Sequence, residues 1–281
     1  MMITKVPVGF LGLALLFGGG TEAGAAGDQP LWELGAGVGA LSFPAYRGSD
    51  EQNQFLLPVP YFTYHGEILK ADRHGVRGEV FDSDRLEFTI SAALSPPVAS
   101  DDARARAGMA DLKATFELGP EIDLTLWRSA SRARSLKLLV PARAAFTLEG
   151  PPQDIGWVVH PRFNLDVTDL PGLAGWNLGL QAGPVFGDRR QHAYFYEVAP
   201  RFARADRPAY SARAGFGGMQ YLAAVSKRFP GLWVGAFARY DNLAGAVFED
   251  SPLVKRSDNF SGGVAVSWIF RESSVRVRVD D

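Results

Sequence analysis

The chain contains no cysteine among its 281 residues, which excludes disulfide bonds and thiolate metal sites. The absence of cysteine also suits an exported bacterial protein. The formal net charge is −2 and no basic cluster with interleaved aromatic residues occurs, so we expect no nucleic-acid partner. Only four histidines are present and none is spaced as a metal ligand, so we expect no metal and no cofactor.

Long apolar runs are missing too, except at the N-terminus. There Lys5 precedes an apolar run over 8–17, and small residues follow at 23–26. This order is typical of a secretory signal peptide, which we place at residues 1–26. The alternative is a membrane-anchoring helix, but the run is shorter than the ~20 residues that a spanning helix needs.

The rest of the chain consists of segments in which apolar and polar residues alternate. In the clearest, from Phe260 to Phe270, the even positions are apolar with aromatic residues at both ends, and most odd positions are small or weakly polar. Period two places the two sets on opposite faces of a strand. An apolar band between aromatic rings is typical of a strand that faces lipid. Taken alone, this segment also fits the edge of a soluble β-sandwich.

Twelve further segments make thirteen strand candidates. Seven alternate clearly, at 32–40, 86–92, 110–118, 136–148, 157–167, 176–186 and 232–240, and five are weaker, at 55–65, 67–80, 121–128, 193–204 and 210–228. Alternation over 134–148 continues for about thirteen residues, longer than a usual soluble strand and enough to cross a bilayer. The apolar faces are nearly free of charge, whereas charges of both signs occur on the polar faces.

These strands predict an all-β protein, a closed antiparallel transmembrane β-barrel, because lipid requires every backbone group to be paired within the protein. Single-chain bacterial barrels usually have an even number of strands, so we predict twelve, with ten as the alternative. We expect the lost candidate within 54–80, which Pro58, Pro60 and Gly66 interrupt. The predicted organisation is a signal peptide at 1–26, a barrel at 27–270 and a C-terminal tail at 271–281.

Two motifs carry a resemblance to a known family. The first is Pro44-Ala45-Tyr46-Arg47-Gly48-Ser49-Asp50, followed by Pro58-Val59-Pro60-Tyr61. The second runs from Tyr240-Asp241-Asn242-Leu243-Ala244-Gly245-Ala246 to Ser251-Pro252-Leu253-Val254. In these motifs the sequence resembles the MipA/OmpV family of outer-membrane proteins, also called MltA-interacting proteins. The tail after Phe270 departs from such families, whose members commonly end on the aromatic residue of the final strand.

The resemblance implies a place in the bacterial outer membrane and no catalytic residues. The family's named member is described as a scaffold that links a murein-cleaving transglycosylase to a murein synthase. The resemblance therefore implies an envelope scaffold or binding protein, not an enzyme, whose partners are outer-membrane lipid and these two peptidoglycan enzymes. The competing interpretation is a narrow channel for small solutes across the outer membrane.

Two groups of residues are candidates for function. Motif residues either shape loops and strand register or form a partner-binding rim: Pro44, Tyr46, Gly48, Ser49, Tyr240, Leu243, Gly245, Ser251 and Pro252. Polar residues expected inside the barrel either line a selective pore or pair across strands and fill it: Arg143, His160, Arg162, Asp166, Arg239 and Asp241. His160 could also serve as a base oriented by Asp166, although an interior polar network is the simpler interpretation.

Strand alternation also predicts sidedness. Both termini are expected in the periplasm, with short turns on that side and longer loops outside. Counted back from Phe270, the alternation gives periplasmic turns at 229–231, 187–192, 149–154, Gly119-Pro120 and 82–84. It gives extracellular loops at 243–257, 169–173, 129–133 and 94–107.

Overall fold

The computed structural model describes residues 28–65, 69–72, 75–78, 81–82 and 85–278. The predicted signal peptide lies outside them. The strands are β1 (Asp28–Pro30), β2 (Trp32–Pro44), β3 (Gln52–His65), β4 (Leu69–Asp72), β5 (Gly75–Gly78), β6 (Phe81–Asp82), β7 (Leu86–Ser95), β8 (Thr115–Arg128), β9 (Arg134–Thr147), β10 (Asp154–Val159), β11 (Arg162–Val167), β12 (Trp176–Gly187), β13 (Gly215–Phe229), β14 (Leu232–Asn242), β15 (Asp258–Glu272) and β16 (Arg276–Arg278). One α-helix, α1 (Arg189–Tyr196), and three single turns of 3₁₀-helix, at Ser100–Asp102, Arg104–Arg106 and Pro200–Phe202, complete the described secondary structure.

One large antiparallel sheet contains β2 to β15, and β1 pairs separately with β16. Its neighbour order is β5-β4-β3-β2-β15-β14-β13-β12-β10-β9-β8-β7-β6. β11 continues β10, because both pair with β9 and with β12. At one end of this order, β5 comes within 8 Å of β7, near the other end, measured between Cα atoms. The sheet is therefore strongly curled and has an inner and an exposed face.

The side chains of β15 alternate between these two faces as the sequence predicts. Phe260, Trp268 and Phe270 are each more than half exposed, whereas Ser261 and Ser267 are buried. Exposed apolar side chains occur on the other strands as well, including Val38, Leu56, Phe88, Ile122, Trp157, Leu180 and Tyr221. The face rich in large apolar groups is therefore the outer one, the reverse of a soluble protein.

The connections divide between two ends of the sheet. The first, which we call the cap end, carries the loops 45–51, 96–114, 148–153, 188–214 and 243–257. The second, which we call the turn end, carries 129–133, 168–175 and 230–231, together with the β1–β16 pair. The three longest of these connections, 96–114, 188–214 and 243–257, all lie at the cap end. The sequence correctly predicts that 243–257 and 94–107 lie at one end and 229–231 at the other.

Two strand predictions are wrong. Because the sides of the connections were predicted by counting strands back from Phe270, each error exchanges the predicted sides of all connections that precede it in the chain. Residues 193–204 contain the second half of α1 and a 3₁₀ turn instead of a strand, because Asp188 begins a helix by accepting a hydrogen bond from Gln191 N at 2.8 Å. The connections at 148–153 and 188–214 consequently lie at the cap end, and those at 129–133 and 168–175 at the turn end.

The second error concerns 110–118 and 121–128, which contribute to a single strand, β8, that begins at Thr115. Gly119-Pro120, predicted as a turn, lies inside this strand. A Cβ at Gly119 would collide with the carbonyl of Ala142, so the glycine permits a close approach of two backbones. This second reversal cancels the first, so 94–107 lies at the same end as 243–257, as predicted. The predicted turn at 82–84 extends outside the described residues.

Prolines do not remove a strand from 54–80 as expected. β3 runs unbroken through Pro58 and Pro60 and pairs with β2 from Gln52 to Tyr64, whereas on its other edge only Tyr64 and His65 pair with a described strand. A proline lacks an N–H group but costs no ladder bond on an unpaired edge. Short strands instead follow, in β4, β5 and β6.

Candidate functional site: the loop cap and the charged inner face

Four loops at the cap end pack against one another around a hydrophobic cluster of their own. We call this unit, formed by 45–51, 96–114, 188–214 and 243–257, the cap. Its buried members are Ala45, Tyr46, Val98, Ala103, Ala105, Leu112, Tyr196, Val198, Leu243, Ala246, Phe248 and Leu253. The cap is therefore a folded layer with its own core, and not a set of separate surface loops.

The first motif is tied to the second by hydrogen bonds inside the cap. The Tyr46 hydroxyl donates to Leu253 O at 2.8 Å. Gly48 N donates to Asn259 Oδ1 at 2.5 Å, and Asn259 Nδ2 donates to Ser49 O at 2.8 Å. Buried groups paired in this way hold the loop after β2 against the start of β15. Pro44, also buried, ends β2 beside them.

Gly48 has a backbone conformation that would be strained for any other residue. Its φ of +94° lies in the left-handed region, and a Cβ there would press against Leu243 and Val254. Both the backbone conformation and the close packing in the cap therefore require glycine at position 48 of the motif.

Residues of the second motif differ in what they contact. Ser251 Oγ donates to Tyr196 O at 2.8 Å, and Leu243 is fully buried in the cap core. Gly245, with φ +76°, is exposed, and Pro252 is half-buried. Tyr240 lies elsewhere, in the sheet, where its ring is 4.8 Å from the Phe260 ring between centroids. Most of the motif therefore builds the cap, while Tyr240 contributes to an aromatic cluster of the sheet.

Helix α1 supplies the central aromatic contact of the cap. Tyr196 stacks on Phe248 with ring centroids 3.7 Å apart, and its hydroxyl donates to Arg47 O at 3.0 Å. Burial raises the pKa of Tyr196. His192, also buried, has Nδ1 2.7 Å from Arg213 O, and burial lowers the pKa of its imidazole. Both side chains are thereby held in their neutral forms.

Two buried arginines connect loops of the cap through carbonyl groups. Arg106 Nη1 donates to Phe195 O at 2.8 Å, and its guanidinium lies 5.9 Å from the centre of the Tyr46 ring. Arg207 Nη1 donates to Ala105 O and Ala107 O, each at 3.0 Å. Burial lowers the pKa of Arg106. These contacts join the 96–114 loop to the 188–214 loop.

Below the cap, charged side chains of the inner face form ion pairs. Four of the pairs join different strands, Arg239–Asp241 lies within β14, and Arg47–Asp241 joins the 45–51 loop to β14. The pairs with their N–O distances are Arg47–Asp241 2.9 Å, Lys137–Glu87 3.3 Å, Arg143–Glu117 2.9 Å, Arg162–Glu121 3.1 Å, Arg228–Glu33 2.6 Å and Arg239–Asp241 2.9 Å. Cross-strand pairing of this kind stabilises a sheet and occupies the space on its inner face.

The structure separates His160 from Asp166. His160 lies between β10 and β11, and Asp166 is six residues further along, roughly 20 Å away at ordinary strand rise. Asp166 accepts a hydrogen bond from Asn164 Nδ2 at 2.6 Å. The candidate base and its predicted orienting partner therefore do not form a catalytic pair. Across the described ranges, no group of three or more His, Cys, Asp or Glu side chains is placed to hold a metal.

None of the helices in the described part of the chain has the length and apolarity required to cross a membrane.

Comparison with known families decides the classification. The family model described as MltA-interacting protein MipA matches residues 36–270. The chain belongs to the MipA family. The matched range includes both motifs, the cap and the paired charges of the inner face except Glu33. No curated protein matches the chain.

Solved structures were compared as well. The toluene transporter TbuX of Ralstonia pickettii has 9% identity and a TM-score of 0.29, over 95% of this chain and 80% of that chain. The monoaromatic hydrocarbon channel CymD has 9% identity and a TM-score of 0.30, over 96% and 81%. An active-site mutant of outer membrane phospholipase A from Escherichia coli has 6% identity and a TM-score of 0.31, over 93% and 98%.

Three residues important to this arrangement were not singled out from the sequence. Arg47 stands inside the first motif, and that position was the available signal. Tyr196 lies in a segment predicted as a strand, so its place in the cap was hidden. Asn259 immediately precedes the alternating segment at 260–270 and showed no distinguishing pattern.

Proposed function

We propose that this MipA-family protein is a closed transmembrane β-barrel of the bacterial outer membrane. Its role is that of an envelope scaffold or binding protein for a murein-cleaving transglycosylase and a murein synthase. Support for the barrel comes from the curled sheet, the approach of β5 to β7 and the exposed apolar face. The sheet contains fourteen described strands, of which β10 and β11 share both neighbours. We propose that twelve strands form the barrel.

The observation that carries the binding role is the occupied interior. A hydrophobic cap lies over one end of the sheet, and ion pairs cross the inner face below it. A general diffusion pore requires a continuous wide aqueous passage. An interior occupied in this way suits a protein that binds partners at its ends. The family description, which names MltA, supports a murein enzyme as the partner.

Murein enzymes act in the periplasm, so we assign their binding surface to the turn end, which carries the β1–β16 pair. The cap-end motif residues then build the cap and do not contact these partners. Among the described turn-end connections, two large apolar side chains are exposed, Leu173 at 57% and Val275 at 55%. Exposed apolar groups are common in interfaces, and these two are the contact points that we propose.

Capture experiments with detergent-solubilised protein test this function. We expect the wild type to enrich a murein transglycosylase or a murein synthase from an envelope extract. The double variant L173D/V275D should reduce the enrichment at least fivefold. Ala244→Asp, at an exposed position of the cap end, is the matched control and should leave it unchanged. Failure to enrich either enzyme class in several detergents would remove the scaffold role.

The alternative is a narrow channel for small solutes, favoured by a cavity of about 420 Å³ that Arg143 and Arg162 help to line. Planar-bilayer recordings distinguish the two functions. The scaffold predicts no stable conductance. Conductance steps that change in Arg143→Gln or Arg162→Gln would establish the channel instead.

A further inference from the structure

The cavity between the cap and the inner face has a chemical character that neither a scaffold nor ion pairing explains. Its volume is about 420 Å³, within the range of small-molecule sites. Arg47, Arg143, Arg162 and Arg239 contribute to its lining, and Glu117 is the one carboxylate side chain that does so among the described residues. The surface presented to this space is therefore strongly cationic.

Three of these arginines, Arg47, Arg162 and Arg239, are paired with carboxylates that do not line the cavity. Asp241, which is fully buried, accepts Arg47 Nε on one oxygen and Arg239 Nε on the other, both at 2.9 Å. Glu121 accepts Arg162 Nη2 at 3.1 Å and, like the neighbouring Asp123, does not line the cavity. Guanidinium groups fixed in this way lose little freedom when they bind a ligand.

Two nitrogen atoms of the described residues that line the cavity are left without a hydrogen-bond partner. Arg47 Nη2 and His160 Nε2 are buried and have no hydrogen-bond partner within the described chain. His160 is only 8% exposed and lines the cavity. Arg47 and Arg239 both contact Asp241 through Nε. Arg239 Nη2 also donates to Ser261 Oγ at 3.3 Å, whereas the buried Nη2 of Arg47 has no such partner in the described part of the chain. The natural acceptor for several guanidinium groups is an oxyanion.

A second, aromatic wall of the cavity comes largely from the cap, which also contributes the polar residues Lys113, Gln191 and His192 to the lining. Tyr46, Phe195 and Phe248 line it there, with Phe237 on the sheet. The exposed residues Ser95 and Pro96 also line the cavity, so it extends to the surface beside the end of β7. A ligand that matches both walls has an anionic head and an apolar body.

We infer that the space beneath the cap is a binding site for a small amphipathic anion, whose phosphate, sulfonate or carboxylate head contacts Arg162 and Arg239. The apolar body of the ligand packs against the aromatic side chains of the cap. This site goes beyond the scaffold role and does not depend on a murein partner, since its residues lie away from the turn end.

Isothermal titration of the full protein in lipid nanodiscs tests the site, with phenyl phosphate as the probe and empty nanodiscs as the blank. Benzyl alcohol is the neutral control, and inorganic phosphate is added as a competitor. Arg162→Gln and Arg239→Gln remove cavity guanidinium groups. Arg104→Gln is the matched control, because Arg104 is 81% exposed and pairs with Glu51 on the surface.

We expect saturable binding of phenyl phosphate that inorganic phosphate displaces, with benzyl alcohol at least tenfold weaker. The affinity for phenyl phosphate should fall at least tenfold in each cavity variant and less than twofold in Arg104→Gln. Absence of saturable binding, equal binding of the neutral control, or undiminished binding in the cavity variants would overturn the inference. If Arg162→Gln does not fold, Arg239→Gln decides alone, since Arg47 still pairs with Asp241 in that variant.

Discussion

Arg47 and Asp241 are 194 positions apart in the chain, yet Arg47 Nε donates to Asp241 Oδ1 at 2.9 Å. The backbone carbonyl of Arg47 accepts from the Tyr196 hydroxyl in the cap, while its side chain reaches the inner face. A single residue thus connects the folded cap to the polar layer beneath it. Stability of the cap and charge of the inner face are consequently linked.

Asp241→Asn tests this link. The change leaves Arg47 and Arg239 without their shared counter-charge, and breaking a buried pair costs about 3–5 kcal/mol. We expect that loss in urea unfolding of the detergent-solubilised protein. Glu272→Gln, which breaks the half-exposed Glu272–Arg276 pair, is the control and should cost at most about 1 kcal/mol. Similar losses in the two variants would contradict the role given to Asp241.

Tyr46 should stabilise the cap in two separable ways. Tyr46→Phe removes only the hydrogen bond to Leu253 O and should lower the stability of the folded cap by about 1 kcal/mol. Tyr46→Ala also removes a buried ring and should cost about 3–5 kcal/mol. The measurement is the rate of limited proteolysis within 243–257. Equal rates for wild type and Tyr46→Ala would show that Tyr46 does not support the cap.

Acid should loosen the cap through His192. Burial lowers the pKa of this imidazole below its usual 6.5, despite the Arg213 carbonyl and nearby Asp188, while Arg47 adds to the lowering. The stabilising contribution is therefore complete above pH 6.5 and is lost as pH falls toward the lower folded-state pKa. We expect cleavage within 188–214 to accelerate over this window in wild type and much less in His192→Gln. A pH dependence that is identical in both proteins would exclude His192.

Single-cysteine labelling tests the sidedness of the loops on intact cells, and the lack of native cysteine makes it direct. Asp250→Cys and Gln153→Cys, both exposed at the cap end, should react with a membrane-impermeant thiol reagent. Ser131→Cys, exposed at the turn end, should not. The position of Gln153 is informative because the strand pattern alone predicts it on the periplasmic side. Labelling of Ser131→Cys with protection of Gln153→Cys would show that the cap end faces the periplasm.

The sequence by itself determined the strands and their two faces. Alternation is a local property, since neighbouring side chains of a strand must point to opposite sides. Segments such as 260–270 and 134–148 therefore announce which residues are exposed and which are buried. The same alternation identified Arg143, Arg162, Arg239 and Asp241 as members of the inner face.

Tertiary structure decided what depends on distant partners. Gly119-Pro120 has the sequence of a turn, but it lies within β8 because β9 packs closely against Gly119. The segment 193–204 has the pattern of a strand, but Asp188 begins a helix that packs in the cap. The motif residues Tyr46, Ser49 and Ser251 acquire their hydrogen bonds only when loops far apart in the chain meet. No local pattern encodes such meetings, because their free energy comes from contacts made after the sheet has curled.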